Sequence, residues 1–134
     1  MKKLLLPIAL LALTLSACVK DKGPHSDSAL IGLWVSTDYQ NNLVIYDKEN
    51  SFNAELPGIE FKADGTVVKR QVSGFCATPP VHYEEVSGTW SEGPDGTVTI
   101  TYDYWGGSAE EDWRIDSVDG NELHVETLDF RANP

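Results

Sequence analysis

The chain has few cysteines, little positive charge, no long helical pattern and no apolar run long enough to span a bilayer. Two cysteines in 134 residues, Cys18 and Cys76, are too few for a disulfide framework, so burial must stabilise the fold. Against 21 Asp+Glu stand only 10 Lys+Arg, a formal net charge of −11. A body this acidic repels phosphate backbones and anionic headgroups, which excludes nucleic acid as a partner. The three histidines, His25, His82 and His124, are scattered, with no Cys or His partner at zinc-like spacing. Nor does any stretch alternate oxygen ligands around a sharp-turn glycine as a calcium loop requires. No metal site and no cofactor are expected.

What is there begins with an address. Lys2 and Lys3 precede an apolar run from Leu4 to Leu15, broken only by Pro7 and Thr14. A permanent membrane helix needs roughly 20 apolar residues. A positive start, a short apolar stretch and then small residues make a secretory signal. Leu15-Ser16-Ala17-Cys18 resembles the lipobox of bacterial lipoproteins. The resemblance implies diacylglycerol on the Cys18 thiol, cleavage ahead of it and acylation of the new amino terminus. The alternative is an ordinary secretory signal with Cys18 left as a thiol. One acyl chain anchors marginally and two or three durably, at about 0.8 kcal/mol per buried methylene. The resemblance to enterobacterial lipoproteins, in which Asp after the cysteine marks the inner membrane, implies with Val19 at that place an outer-membrane destination.

Loss of Lys2 and Lys3 with residues 1–17 leaves 8 Lys+Arg against 21 Asp+Glu, a net charge of −13. With Cys18 modified, Cys76 has no internal partner; it reads as a buried apolar cysteine or a reactive thiol. Residues 18–29 read as a lipidated, flexible tether. Residues 30–134 suffice for one domain with a core and are too few for two.

Turn signals divide that domain. Asp64-Gly65, Asp95-Gly96 and Asp119-Gly120 are hairpin turns between strand-like runs. Strands are expected at 32–37, 42–46, 58–63, 66–72, 86–91, 97–104, 112–118 and 122–128, with a connecting loop over 47–57. The run 97–104 is the clearest: Val98, Ile100, Tyr102 and Tyr104 share one face, with Thr97, Thr99, Thr101 and Asp103 opposite. Trp113, Ile115 and Ser117 oppose Arg114, Asp116 and Val118. Leu123, Val125 and Thr127 oppose His124, Glu126 and Leu128. About eight strands joined by short turns pair antiparallel. Closing them removes both exposed edges, giving an all-β, up-and-down barrel; a two-sheet sandwich is the rival.

Several pieces resemble small bacterial lipocalin-like lipoproteins. Gly32-Leu33-Trp34 is similar to the Gly-x-Trp that opens the first lipocalin strand. Phe61-Lys62-Ala63-Asp64-Gly65-Thr66 resembles their F-x-x-D-G-T hairpin. Gly88-Thr89-Trp90 is a second Gly-x-Trp, and Trp113-x-Ile115 followed by Asn121-Glu122-Leu123 resembles the closing hairpin. Gly admits a close neighbour, and a Trp two residues on can plug one barrel end. The resemblance also implies a basic residue packed over the first Trp, and Arg131 is the candidate.

Candidates for chemistry are few. Cys76 and His82 are the only nucleophile and base close in sequence, but Pro79 and Pro80 between them favour an extended loop. No catalytic residue is assigned, and an enzyme ranks last. Glu110-Glu111-Asp112 reads as a solvated loop end. Tyr102, Tyr104 and Trp105, with Gly106-Gly107 beside them, either line a ligand-binding mouth or are ordinary core and turn. The first functional expectation is therefore a membrane-anchored barrel that holds a small apolar or amphipathic ligand. The second is a protein-interaction or inhibitor module of the cell envelope, engaging a cationic partner through loops and acidic surface. A cavity lined by Tyr102, Tyr104 and Trp105 favours the first. A filled interior beside an exposed aromatic patch favours the second.

Overall fold

The computed structural model describes residues 24–74 and 79–133. The expected signal segment, Cys18, residues 18–23 of the tether and Cys76 lie outside the described residues. Eight strands close into an antiparallel barrel, consistent with a lipocalin-like fold: β1 (Gly32–Gln40), β2 (Leu43–Glu49), β3 (Gly58–Phe61), β4 (Thr66–Val72), β5 (Tyr83–Glu92), β6 (Thr97–Tyr104), β7 (Gly107–Val118) and β8 (Glu122–Asn133). Strand directions alternate up and down around the whole barrel. Among the described residues the one helical element is a 3₁₀ turn at Pro94–Gly96.

The three Asp-Gly turns join consecutive strands, but the aspartates act in different ways. Asp95 and Gly96 both take positive φ, 58° and 71°. Asp64 accepts hydrogen bonds from the Thr66 amide and hydroxyl, at 2.9 and 2.6 Å. Asp119 accepts from the amides of Asn121 and Glu122, both at 2.8 Å. A fourth tight turn, Asn41-Asn42, carries φ of 53° and 66° between β1 and β2. Asn tolerates that left-handed backbone better than other side chains, because its short amide can bond locally.

Around the barrel the order is β1, β2, β8, β7, β6, β5, β4, β3. From β3 to β8 each strand lies beside its successor. The exception is β1, which sits between β2 and β3, so residues 50–57 must cross it. That crossing covers the outer face. Pro57 accepts from the Ser36 amide at 3.0 Å, Ala54 accepts from Arg70 at 2.8 Å, and Phe52 lies against Gly58. Val35, which pairs with Gly58, is buried as a result.

The core follows from period-two alternation. Val98, Ile100 and Tyr102 are buried as expected, while Asp103 is exposed. Two register shifts between β7 and β8 break the same logic. Between Ile115 and Ser117 the shift pairs Val118 with Leu123 on the core side and leaves Ser117 exposed. Strict alternation places Ser117 with the apolar face, so that expectation is corrected. An extra residue switches every later side chain to the other face. A second shift, between Asp112 and Trp113, skips Leu128, which is exposed.

One end, the base, holds the first residues of β1 and the Asp-Gly turns. Trp34 is completely buried there and donates from its indole to the Leu30 carbonyl at 2.7 Å; Trp90 donates to the Lys62 carbonyl at 2.9 Å. Residues 24–29, the described part of the expected tether, fold against this end. The His25 amide donates to Ala63 at 3.1 Å, its ring stacks 4.1 Å from Trp90, and Ser28 donates to Glu92 at 2.6 Å. The other end, the rim, is open. Pairing of β2 with β8 stops at Val44–Val125, while β8 continues to Asn133 beside β7.

Candidate functional site: a buried charge cluster beneath an aromatic rim

Inside the barrel, above the tryptophans, three inward-facing strands bring polar groups together. β4 supplies Lys69, β6 supplies Tyr102, and β7 supplies Glu111 and Trp113. Lys69 forms an ion pair with Glu111 and donates to the Tyr102 hydroxyl at 2.9 Å. Tyr102 in turn donates to Glu111 at 2.5 Å, and the Trp113 indole donates to the other Glu111 oxygen at 2.9 Å. The Lys69 ammonium also lies 4.1 Å from the Tyr102 ring centroid, in cation–π range.

Charge here is stabilised by its partners against desolvation. Burial pushes the Glu111 carboxyl upward, but the Lys69 charge and three hydrogen bonds outweigh it and hold the group below its ordinary value. Burial lowers Lys69, and Glu111 offsets only part of that. Burial and the neighbouring carboxylate push Tyr46 and Tyr102 well above the usual phenol range. Both Glu111 oxygens already accept hydrogen bonds, so the cluster is built to hold a charge in place.

The loop-end reading of Glu110-Glu111-Asp112 is corrected. All three lie within β7, which begins at Gly107, and Ala109, Glu111 and Trp113 alternate inward. Three consecutive carboxylates hid that alternation. Glu110 and Asp112 face outward and pair with Arg131, which also binds Asp129. Arg131 is thus held at the upper, outer side of β8 and does not cover Trp34. Lys48 does, with its ammonium 5.1 Å from the indole centroid, because Lys48 is the cross-strand partner of Trp34.

Gly88 makes a close backbone approach to the next strand, whereas Gly32 faces only the flexible end of Lys48. Gly32 has φ of +133°, and a side chain there would press on Lys48; a Cβ at Gly88 would run into the Thr101 carbonyl of β6. Tyr102 and Tyr104 share the inward face of β6, and Trp105 follows them in the β6–β7 turn. Tyr102 belongs to the charge cluster. Tyr104 is half-buried and meets Trp105 edge-on at 5.7 Å, and Trp105 is 59% exposed in the β6–β7 turn. His82 is exposed. Among the described residues, no group of three His, Cys, Asp or Glu side chains converges as a metal site.

The exposed large apolar side chains gather toward the open end. They include Tyr39 on β1, Trp105, and Leu128 and Phe130 on upper β8. Tyr39 pairs with Val44 and Phe130 with Glu111, so both lie on the inward face, toward the open end. The exposed rings thus stand toward the opening, beside and above the charge cluster, and Ala109, one inward step rimward of Glu111 on β7, is buried too. Comparison with family models, curated proteins and solved structures finds no match to this chain.

Proposed function

We propose that this chain is a lipid-anchored envelope protein whose barrel rim docks a cationic protein partner. The anchor rests on the Lys2-Lys3 start, the short apolar run and the lipobox ending at Cys18. The outer membrane is the destination that Val19 favours. The Gly-x-Trp pieces at Gly32–Trp34 and Gly88–Trp90 support a lipocalin-like lineage in which the interior has been filled.

One observation carries the docking assignment: the interior is occupied by core and charge cluster, while Tyr39, Trp105 and Phe130 stand exposed at one end. An apolar surface on an otherwise acidic domain marks a place where another surface sits. The basic side chains nearby, Lys69, Arg70 and Arg131, are already engaged by Glu111, Glu85 and the Glu110–Asp112–Asp129 group. The rim thus offers rings for contact and a negative field for steering, which suits a basic partner. Neither catalysis nor a cofactor enters this reading.

A photo-crosslinking residue at Trp105 or Phe130, in cells, is expected to trap a basic envelope protein, and one at Asp119 on the base is not. Equal trapping from both ends, or an acidic partner, overturns the docking assignment. Separately, Cys18→Ala is expected to abolish lipid labelling; undiminished labelling refutes the anchor.

A further inference from the structure

At the opposite end from the rim lies a cavity of about 320 Å³ that the docking role does not use. Its walls are aliphatic: Leu30 from the folded-back segment, Val98 from β6, and Ile115 and Val118 from β7. Gly93 and Gly96 line another side without side chains, leaving the space open. Sites for small molecules begin at roughly 300 Å³, so the size suits a short alkyl chain or compact ring.

The charge at its border is one-sided. Glu92 lines the cavity, and its side chain is 45% exposed. One Glu92 oxygen accepts from Ser28 at 2.6 Å, and the other stands 3.8 Å from His25 Nδ1. A carboxylate offers about four acceptor positions, so room remains for a further donor. Among the described residues, no lysine or arginine lines the space. An anionic head would meet Glu92 with no lysine or arginine opposite it, inside an acidic protein. An ammonium head would meet a carboxylate already held in position by Ser28.

We infer that the base cavity is a binding site for a small amphipathic cation, its alkyl part against Val98, Ile115 and Val118 and its ammonium on Glu92. This site is separate from the rim and does not depend on the docking role. It also gives a use to the folding-back of residues 24–29, because Ser28 both closes the cavity and fixes the carboxylate. A ligand seated there contacts Leu30 and so ties the approach of the N-terminal segment to the barrel wall.

The test uses the full chain in zwitterionic lipid nanodiscs, titrated with hexylammonium and with hexanoate. Methyl resonances of Leu30, Val98, Ile115 and Val118 report the site itself, whatever the probe does in lipid. Saturable shifts are expected with hexylammonium and none with hexanoate. Glu92→Gln keeps the acceptor for Ser28 and removes the charge; it is expected to weaken hexylammonium by about tenfold or more, the worth of a charge-assisted hydrogen bond. Val118→Phe is expected to fill the space and abolish the shifts. Equal binding of hexanoate, unchanged affinity in Glu92→Gln, or no saturable shift overturns the inference. Glu92 sits at the surface, so that variant folds even if Val118→Phe does not.

Discussion

The Lys69–Glu111 pair permits a sharp test of how this barrel is held. Their side chains are only 16% and 12% exposed, so neither charge is well solvated. Lys69→Met leaves Glu111 ionised without its counter-charge; Glu111→Gln leaves the ammonium alone. Removing one member of a buried pair costs about 3–5 kcal/mol. That is a large part of the roughly 5–15 kcal/mol that holds a domain folded. The double variant should behave differently. The amide that Glu111→Gln introduces can accept from Trp113 and donate to the Tyr102 hydroxyl, and the thioether that Lys69→Met introduces needs no partner. With each polar heavy atom keeping at least one partner, the double variant should lie within about 2 kcal/mol of the parent, since replacing a whole buried pair is often near neutral. Urea unfolding followed by tryptophan fluorescence measures all four proteins. The expected coupling is at least about 2 kcal/mol, with each single variant melting roughly 10 °C or more lower. Additive single effects, with coupling below about 0.5 kcal/mol, would refute the claim that the two charges depend on each other.

Two further outcomes follow from the same geometry. Gly88→Ala drives a methyl into the Thr101 carbonyl, a backbone atom that cannot rotate away, and should cost about 1–3 kcal/mol or more. Gly120→Ala, where a Cβ meets nothing within 4 Å, should stay within about 0.5 kcal/mol; equal urea midpoints for the two variants would contradict this. Acid should also destabilise the fold. Glu111 titrates below its ordinary 4.5, so its contribution is whole above that value and is lost as pH falls through the lower, folded one. Urea midpoints from about pH 7 down to about pH 3 should decline, and more steeply in the parent than in Glu111→Gln. Identical slopes would remove Glu111 from the explanation.

Much of the barrel was legible because local chemistry determines it. Asp-Gly pairs marked three turns, and the Val98–Ile100–Tyr102 alternation exposed the inward face of β6. The Gly-x-Trp pieces located the tryptophans that plug the base. What could not be read depends on residues far apart in the chain. Lys69 and Glu111 meet only because β4 and β7 face each other across the interior, and a lysine in one strand gives no sign of a carboxylate 42 residues later. The register shift after Ile115 exchanged Ser117 for Val118, and a bulge leaves little trace in hydropathy. Placing Arg131 over Trp34 failed for a related reason. The contact goes to whichever cation the register sets opposite the ring, and that is Lys48. The base cavity has parts from the N-terminal segment, the β5–β6 turn and two strands, so no single stretch of sequence announces it.

The position of β1 between β2 and β3 has a consequence for assembly. Strands β3 to β8 can be laid down one beside the next, β4 and β5 joined through residues 73–82 and the others through short turns. They cannot become a tube by themselves, because both of their flanks, β3 and β8, await the N-terminal hairpin. That hairpin is made before the other six strands, yet one of its docking surfaces, β8, is made after all of them. Sealing the wall joins Val44 to Val125 and is the most non-local step available, so it should be slow and late. Until then the chain carries two raw strand edges, and its acidity keeps one unfinished copy away from the next.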